Sequence, residues 1–80
     1  EMKIKDIVIK IIADSLDVDF KKIDEDTAIG DFPAWDSMGQ LLIISSLEKE
    51  FDIKFDPESI IELEDVADMI EAIEENSNVK

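Results

Sequence analysis

The sequence predicts an all-α fold: a four-helix bundle with a short third helix and a long first loop. Three observations predict it. Apolar residues recur at spacings of three and four in separate stretches of the chain. Helix-start signals, acids and a proline, stand just ahead of the later stretches. No strand-period segment has a partner, since Phe51-Asp52-Ile53-Lys54-Phe55 alternates alone.

The first helix spans about residues 3–15. Ile4, Ile7, Val8, Ile11, Ile12 and Leu16 form its apolar face, and Lys3, Lys5, Asp6, Lys10 and Asp14 fill the other. Residues 17–36 have no helical period and read as a loop. A loop of that length in a small domain needs anchoring. Val18, Phe20, Ile23, Ile29, Phe32 and Trp35 are spaced along it like pegs. The helical pattern returns from Ser37 to Phe51, with Asp36 as N-cap. Asp56-Pro57-Glu58 opens the short third helix, Pro57–Glu62. Glu64-Asp65 opens the last, whose stripe is Val66, Met69, Ile70 and Ile73. Asn76-Ser77-Asn78 ends it, and the tail after it is expected to fray.

Eighty residues read as one domain, 1–80, ordered from about 3 to 75. A chain this small buries only about 60% of its unfolded surface. It has neither cysteine nor histidine, so no disulfide or zinc cluster staples it. Stability must come from packed apolar faces, and 45% hydrophobic residues are enough to make them. Twenty-two acids against eight lysines give a net charge of −14. That charge disfavours nucleic acid and anionic membranes and favours partners with basic patches. The longest apolar run, Leu41-Leu42-Ile43-Ile44, is far short of the ~20 residues of a membrane span. A cytoplasmic monomer is the expected state.

Catalysis is disfavoured. There is no Gly-rich phosphate loop, and nothing present acts as a neutral base toward Ser37. Asp24-Glu25-Asp26-Thr27-Ala28-Ile29-Gly30 begins like a calcium loop, but lacks an oxygen ligand at the fifth position and glycine at the sixth. No metal is expected.

Ser37 is the informative residue: exposed at a helix start, after an acid, in a chain with no thiol. At about 100° per residue, its helix has two apolar faces. Ile43, Ile44, Leu47 and Phe51 face the core, with Gln40 near the same side. Met38, Leu42 and Ser45 fall opposite, with Leu41 between. An outer face normally carries charge, so Met38, Leu41 and Leu42 suggest a contact site.

Asp36-Ser37-Met38, then Leu41, Ile43-Ile44 and Leu47-Glu48-Lys49-Glu50-Phe51, followed by Asp56-Pro57-Glu58, resembles an acyl carrier protein over residues 3–75. The resemblance implies that Ser37 is esterified to 4′-phosphopantetheine by a phosphopantetheinyl transferase using coenzyme A, with Asp36 beside it. Acyl or aminoacyl groups then ride on the arm as thioesters. A phosphodiester on Ser37 would lie at a helix N-terminus, which favours an anion. The resemblance also implies a core able to shelter a chain, with Ile7, Ile11, Ile43, Ile44, Leu47, Phe55, Leu63, Val66 and Ile70 as lining.

The chain departs from carriers of fatty-acid synthesis, which usually have glycine and a small residue before Asp-Ser. Here the approach is Pro33-Ala34-Trp35. Trp35 either plugs the loop into the core, the favoured reading, or stands beside the arm as a partner contact. Gly39, Gln40 and Leu42 occupy positions where such carriers place acids, so Glu48 and Glu58, with Glu62, Glu64 and Asp65, carry more of the acidic surface. Trp-Asp-Ser-Met-Gly resembles stand-alone carriers of specialised lipid, polysaccharide or secondary-metabolite pathways. Partners are then acyl-activating or acyl-transferring enzymes with basic and apolar patches, met through Trp35, Met38, Leu41, Leu42, Glu48 and Glu58. The competing reading is an unmodified acidic docking module with the same fold.

Overall fold

The computed structural model describes residues 3–76. Four helices follow in order: α1 (Ile4–Leu16), α2 (Ser37–Phe51), α3 (Pro57–Ile61) and α4 (Val66–Asn76). A single 3-10 turn, Phe20–Lys22, interrupts the long loop. The described residues contain no strand, only an isolated antiparallel bridge between Ala28 and Asp65. The molecule measures 33 × 31 × 20 Å. Its thin dimension is about two helix diameters of ~10 Å, room for two helix layers. The expected tail beyond Asn76 lies outside the described residues.

α1 packs against both α2 and α4. Its buried residues are Val8, Ile12, Ala13 and Leu16. The helix is therefore turned toward Ala13 relative to the expected stripe. Ile4, Ile9 and Ile11 pack on the core from its margin, while Ile7 is half-exposed and stands apart from that cluster. The turn has a local reason. Ala13 has little bulk, and Leu16 lies over Gly39 of α2, a close approach that larger residues would prevent. Ile7 is accordingly not a lining residue of the core.

The helix ends are settled locally. Asp17 and Asp52 close α1 and α2 in the left-handed conformation, with φ of 58° and 54°. The αL cap satisfies carbonyls of the last turn: Val18 N–H bonds Ala13 O, and Ile53 N–H bonds Glu48 O. α3 starts on Pro57 as its Asp-Pro-Glu signal requires, although Asp56 makes no side-chain cap hydrogen bond. It ends one residue earlier than expected.

The N-terminus of α4 shows how the long loop is fixed. Its first N–H groups lack intrahelical partners. Thr27 O accepts from Val66 N–H at 3.0 Å and Glu25 O from Ala67 N–H at 3.0 Å. Asp65 Oδ1 accepts from Asp68 N–H at 2.8 Å, and Asp65 O from Met69 N–H at 3.2 Å. Asp68 reaches back to accept from Glu64 N–H at 3.2 Å. The loop thus caps a helix far from it in sequence. Of the apolar pegs, Ile23 and Trp35 are buried, and Val18 and Phe32 pack on the core. Phe20 and Ile29 are exposed instead. Each borders a surface cleft, Phe20 beside Ile9 and Ile29 beside Leu41.

The core unites Val8, Ile12, Leu16, Trp35, Ile43, Ile44, Leu47, Leu63, Val66, Met69 and Ile73. Of the residues expected to line it, Ile43, Ile44, Leu47, Phe55, Leu63 and Val66 are buried, and Ile11 and Ile70 are partly so. No helix among the described residues is long and apolar enough to cross a membrane.

Candidate functional site

Ser37 is the first residue of α2 and is exposed. Asp36 precedes it in extended conformation, and its Oδ1 accepts from Gly39 N–H at 2.9 Å. The Asp36 carbonyl takes the first helical bond, from Gln40 N–H at 2.8 Å. The aspartate therefore fixes the direction of the helix start, and with it the serine. The N–H groups of Ser37 and Met38 precede the helical ladder and lie at the positive end of the dipole. An anion bound through the Ser37 oxygen would meet favourable partial charge there.

The loop before Ser37 is held against α2. Gly30, with φ of 95°, donates its N–H to Trp35 O at 2.9 Å, and Trp35 N–H bonds Phe32 O at 2.9 Å. A Cβ at Gly39 would collide with the Ala34 carbonyl oxygen. Glycine at that position lets the chain pass directly over the first turn of α2.

Trp35 is 1% exposed. The structure thus gives it the role of a plug, and it cannot also stand beside Ser37 as a surface contact. Its Nε1–H donates to Gln40 Oε1 at 2.7 Å. Gln40 Nε2 in turn donates to Leu63 O at 2.7 Å. Both bonds are buried, and among the described residues no buried side-chain nitrogen or oxygen lacks a partner. Breaking such a link leaves polar groups desolvated, at about 1–3 kcal/mol each. Three parts of the chain, the loop, α2 and the α3–α4 connection, are pinned together at this point.

An open cleft of about 420 Å³ runs beside Ser37, lined by Ile29, Gln40, Leu41, Ile60, Ile61, Leu63 and Glu64 as well. Its walls are mostly apolar, with Glu64 as the charged residue among them. Met38, Leu41 and Leu42 are 69%, 56% and 57% exposed, and Ile61 across the cleft is 76% exposed. Leu41 belongs to the cleft wall, whereas Met38 and Leu42 do not. The sequence reading missed Ile60, Ile61 and Gln40 as site residues. Adjacent isoleucines in a five-residue helix were one available signal, because they point in different directions. A polar residue at a core-facing position, five residues after a lone tryptophan, was the other.

The two acids assigned to the partner surface differ. Glu58 is exposed in the first turn of α3. Glu48 has a side chain only 18% exposed; its Oε2 accepts from Phe55 N–H at 2.9 Å. Its other oxygen lies 3.8 Å from Lys54 Nζ. It clamps the α2–α3 connection, so it is not a free surface charge. No group of three or more acids among the described residues is arranged to hold a metal ion.

A family model described as a phosphopantetheine attachment site matches residues 6–73. The chain belongs to that family, and it is a carrier of the acyl carrier protein type and not an enzyme. The structure is similar to a solution structure of the holo acyl carrier protein from Geobacter metallireducens, with a TM-score of 0.81 and 28% identity. That likeness covers 92% of this chain and 85% of the other. A search of curated proteins gave no match. The prosthetic group of the family is phosphopantetheine. The residues present fit it: an exposed hydroxyl at a helix N-terminus opens directly onto an apolar-walled cleft.

Proposed function

We propose that Ser37 is the attachment point of the 4′-phosphopantetheine arm, and that this carrier serves a specialised acyl- or aminoacyl-transfer pathway in the cytoplasm as a monomer. The observation that carries the first part is the position of the Ser37 hydroxyl, exposed as the first residue of α2 and at the mouth of the cleft. When bound, the arm supplies the thiol that this cysteine-free chain lacks. The protein's own residues do the rest. Asp36 caps the helix and aims the serine, the first-turn N–H groups favour the phosphodiester, and Ile60, Ile61 and Leu41 offer the arm an apolar wall.

The exposed Met38, Leu41 and Leu42 support the second part. Charge of −14 steers encounter with basic partners, the phosphopantetheinyl transferase among them. The apolar patch then selects which acyl-activating or acyl-transferring enzyme docks productively. Glu58 joins this surface, and Glu48 acts on it only by holding the connection behind it.

Incubation with coenzyme A and a phosphopantetheinyl transferase, followed by intact mass, tests attachment. A gain of one arm, abolished by Ser37→Ala, is expected. No gain with several transferases would favour an unmodified docking module. For the pathway, a fatty-acid ketosynthase is expected to turn over the acyl form poorly. Turnover matching that of a fatty-acid-synthesis carrier would overturn the specialised role.

A further inference from the structure

We propose that Gln40 is a cargo-selecting latch: by bridging Trp35 and Leu63 it closes the inner end of the cleft beside Ser37, so that the carrier favours short or polar acyl groups held outside the core. The inference rests on Ser37 as the tether. Ser37 and Gln40 are three residues apart on α2, hence on neighbouring positions of one face, and both line the cleft. Gln40 and Leu63 are the buried members of the cleft lining and so mark its inner end, which an alkyl chain entering the core from Ser37 would meet. Trp35, to which Gln40 is bonded, belongs with Ile43, Leu47 and Val66 to the core, all essentially fully buried.

The latch is built on both sides. Gln40 accepts from the Trp35 indole and donates to the Leu63 carbonyl, each at 2.7 Å. Passage of a chain would orphan an indole N–H, a carbonyl and the amide itself. Each orphaned group lowers the population of the opened state by about tenfold. Short chains gain too little apolar burial to offset that. A polar or aminoacyl cargo has no reason to enter, and remains against the outer cleft where partner enzymes reach it. Cargo choice is thereby set by a side chain that does not touch the thioester.

The test compares acetyl and octanoyl forms of the carrier, each loaded on Ser37 from the acyl-coenzyme A and verified by mass. Two readouts are used: thioester hydrolysis rate, and the NMR resonance of the indole N–H of the only tryptophan. In the wild type the two thioesters are expected to hydrolyse within about twofold of each other, with the indole resonance unmoved by cargo. In Gln40→Leu, octanoyl alone is expected to become protected, by about tenfold. Trp35→Phe, which keeps the plug and removes the donor, is expected to shift protection in the same direction if Gln40→Leu does not fold. Protection of octanoyl in the wild type, with a displaced indole resonance, would overturn the latch. So would both variants leaving octanoyl as exposed as acetyl. Failure to load Ser37 at all would instead overturn the tether reading, and the latch with it.

Discussion

A methyl group at Gly39 has nowhere to go, because the Ala34 carbonyl and Leu16 already occupy the space. Gly39→Ala is expected to destabilise by about 1–3 kcal/mol, measured by urea unfolding, although alanine is the better helix former. The opposite sign is expected at Asp17, whose φ of 58° forces a Cβ into the left-handed region. Asp17→Gly relieves a conformational cost of about 1–2 kcal/mol, partly offset by glycine's entropy. A modest rise in melting temperature is the predicted result. Asp36 acts through its cap: Asp36→Ala loses the bond to Gly39 N–H and should cost about 1 kcal/mol of stability. Trp35 and Gln40 show where single residues escape a sequence reading. Their bond joins neighbours, but the Leu63 carbonyl that completes it is contributed from twenty-three positions away. No local pattern encodes that acceptor.

The elements themselves were largely legible, because local physics writes them. Spacings of three and four mark α1, α2 and α4, and the Asp-Pro-Glu start marks α3 to within one residue. The orientation of α1 was not legible, since it depends on what packs there. Ile7 continues the apolar stripe, yet the Ala13 side approaches its neighbours and leaves Ile7 at the margin. The long loop was expected to be anchored through apolar pegs. Much of its anchoring is backbone instead, with Thr27 and Glu25 carbonyls capping α4. Glu48 belongs to this scale as well. The sequence suggests a surface acid there, yet its carboxylate holds the α2–α3 connection by accepting from Phe55 N–H. Glu48→Ala is expected to lower stability by about 1–2 kcal/mol, with the loss seen in chemical denaturation of the unloaded protein. A truly exposed acid such as Glu58 should change it by less than about 0.5 kcal/mol when replaced by alanine.

At the scale of the whole molecule, the balance of charge and apolar surface decides behaviour. A charge of −14 on so small a body repels itself. Raising ionic strength to physiological values shortens the screening length to about 8 Å and should raise the melting temperature by several degrees. A flat response would show that the acids are too dispersed to oppose folding. Under the proposed function the same charge brings basic partners near, and the exposed Met38, Leu41 and Leu42 with the cleft beside Ser37 are the surface on which they would dock. The fold, the helix cap and the cleft all converge on one hydroxyl. Tandem mass spectrometry of peptides from the transferase-treated protein tests that convergence most directly. The account predicts the phosphopantetheine mass on the peptide bearing Ser37, localised to that oxygen and to none of Ser15, Ser45, Ser46, Ser59 or Ser77. An arm found on another serine, or on none, would contradict it.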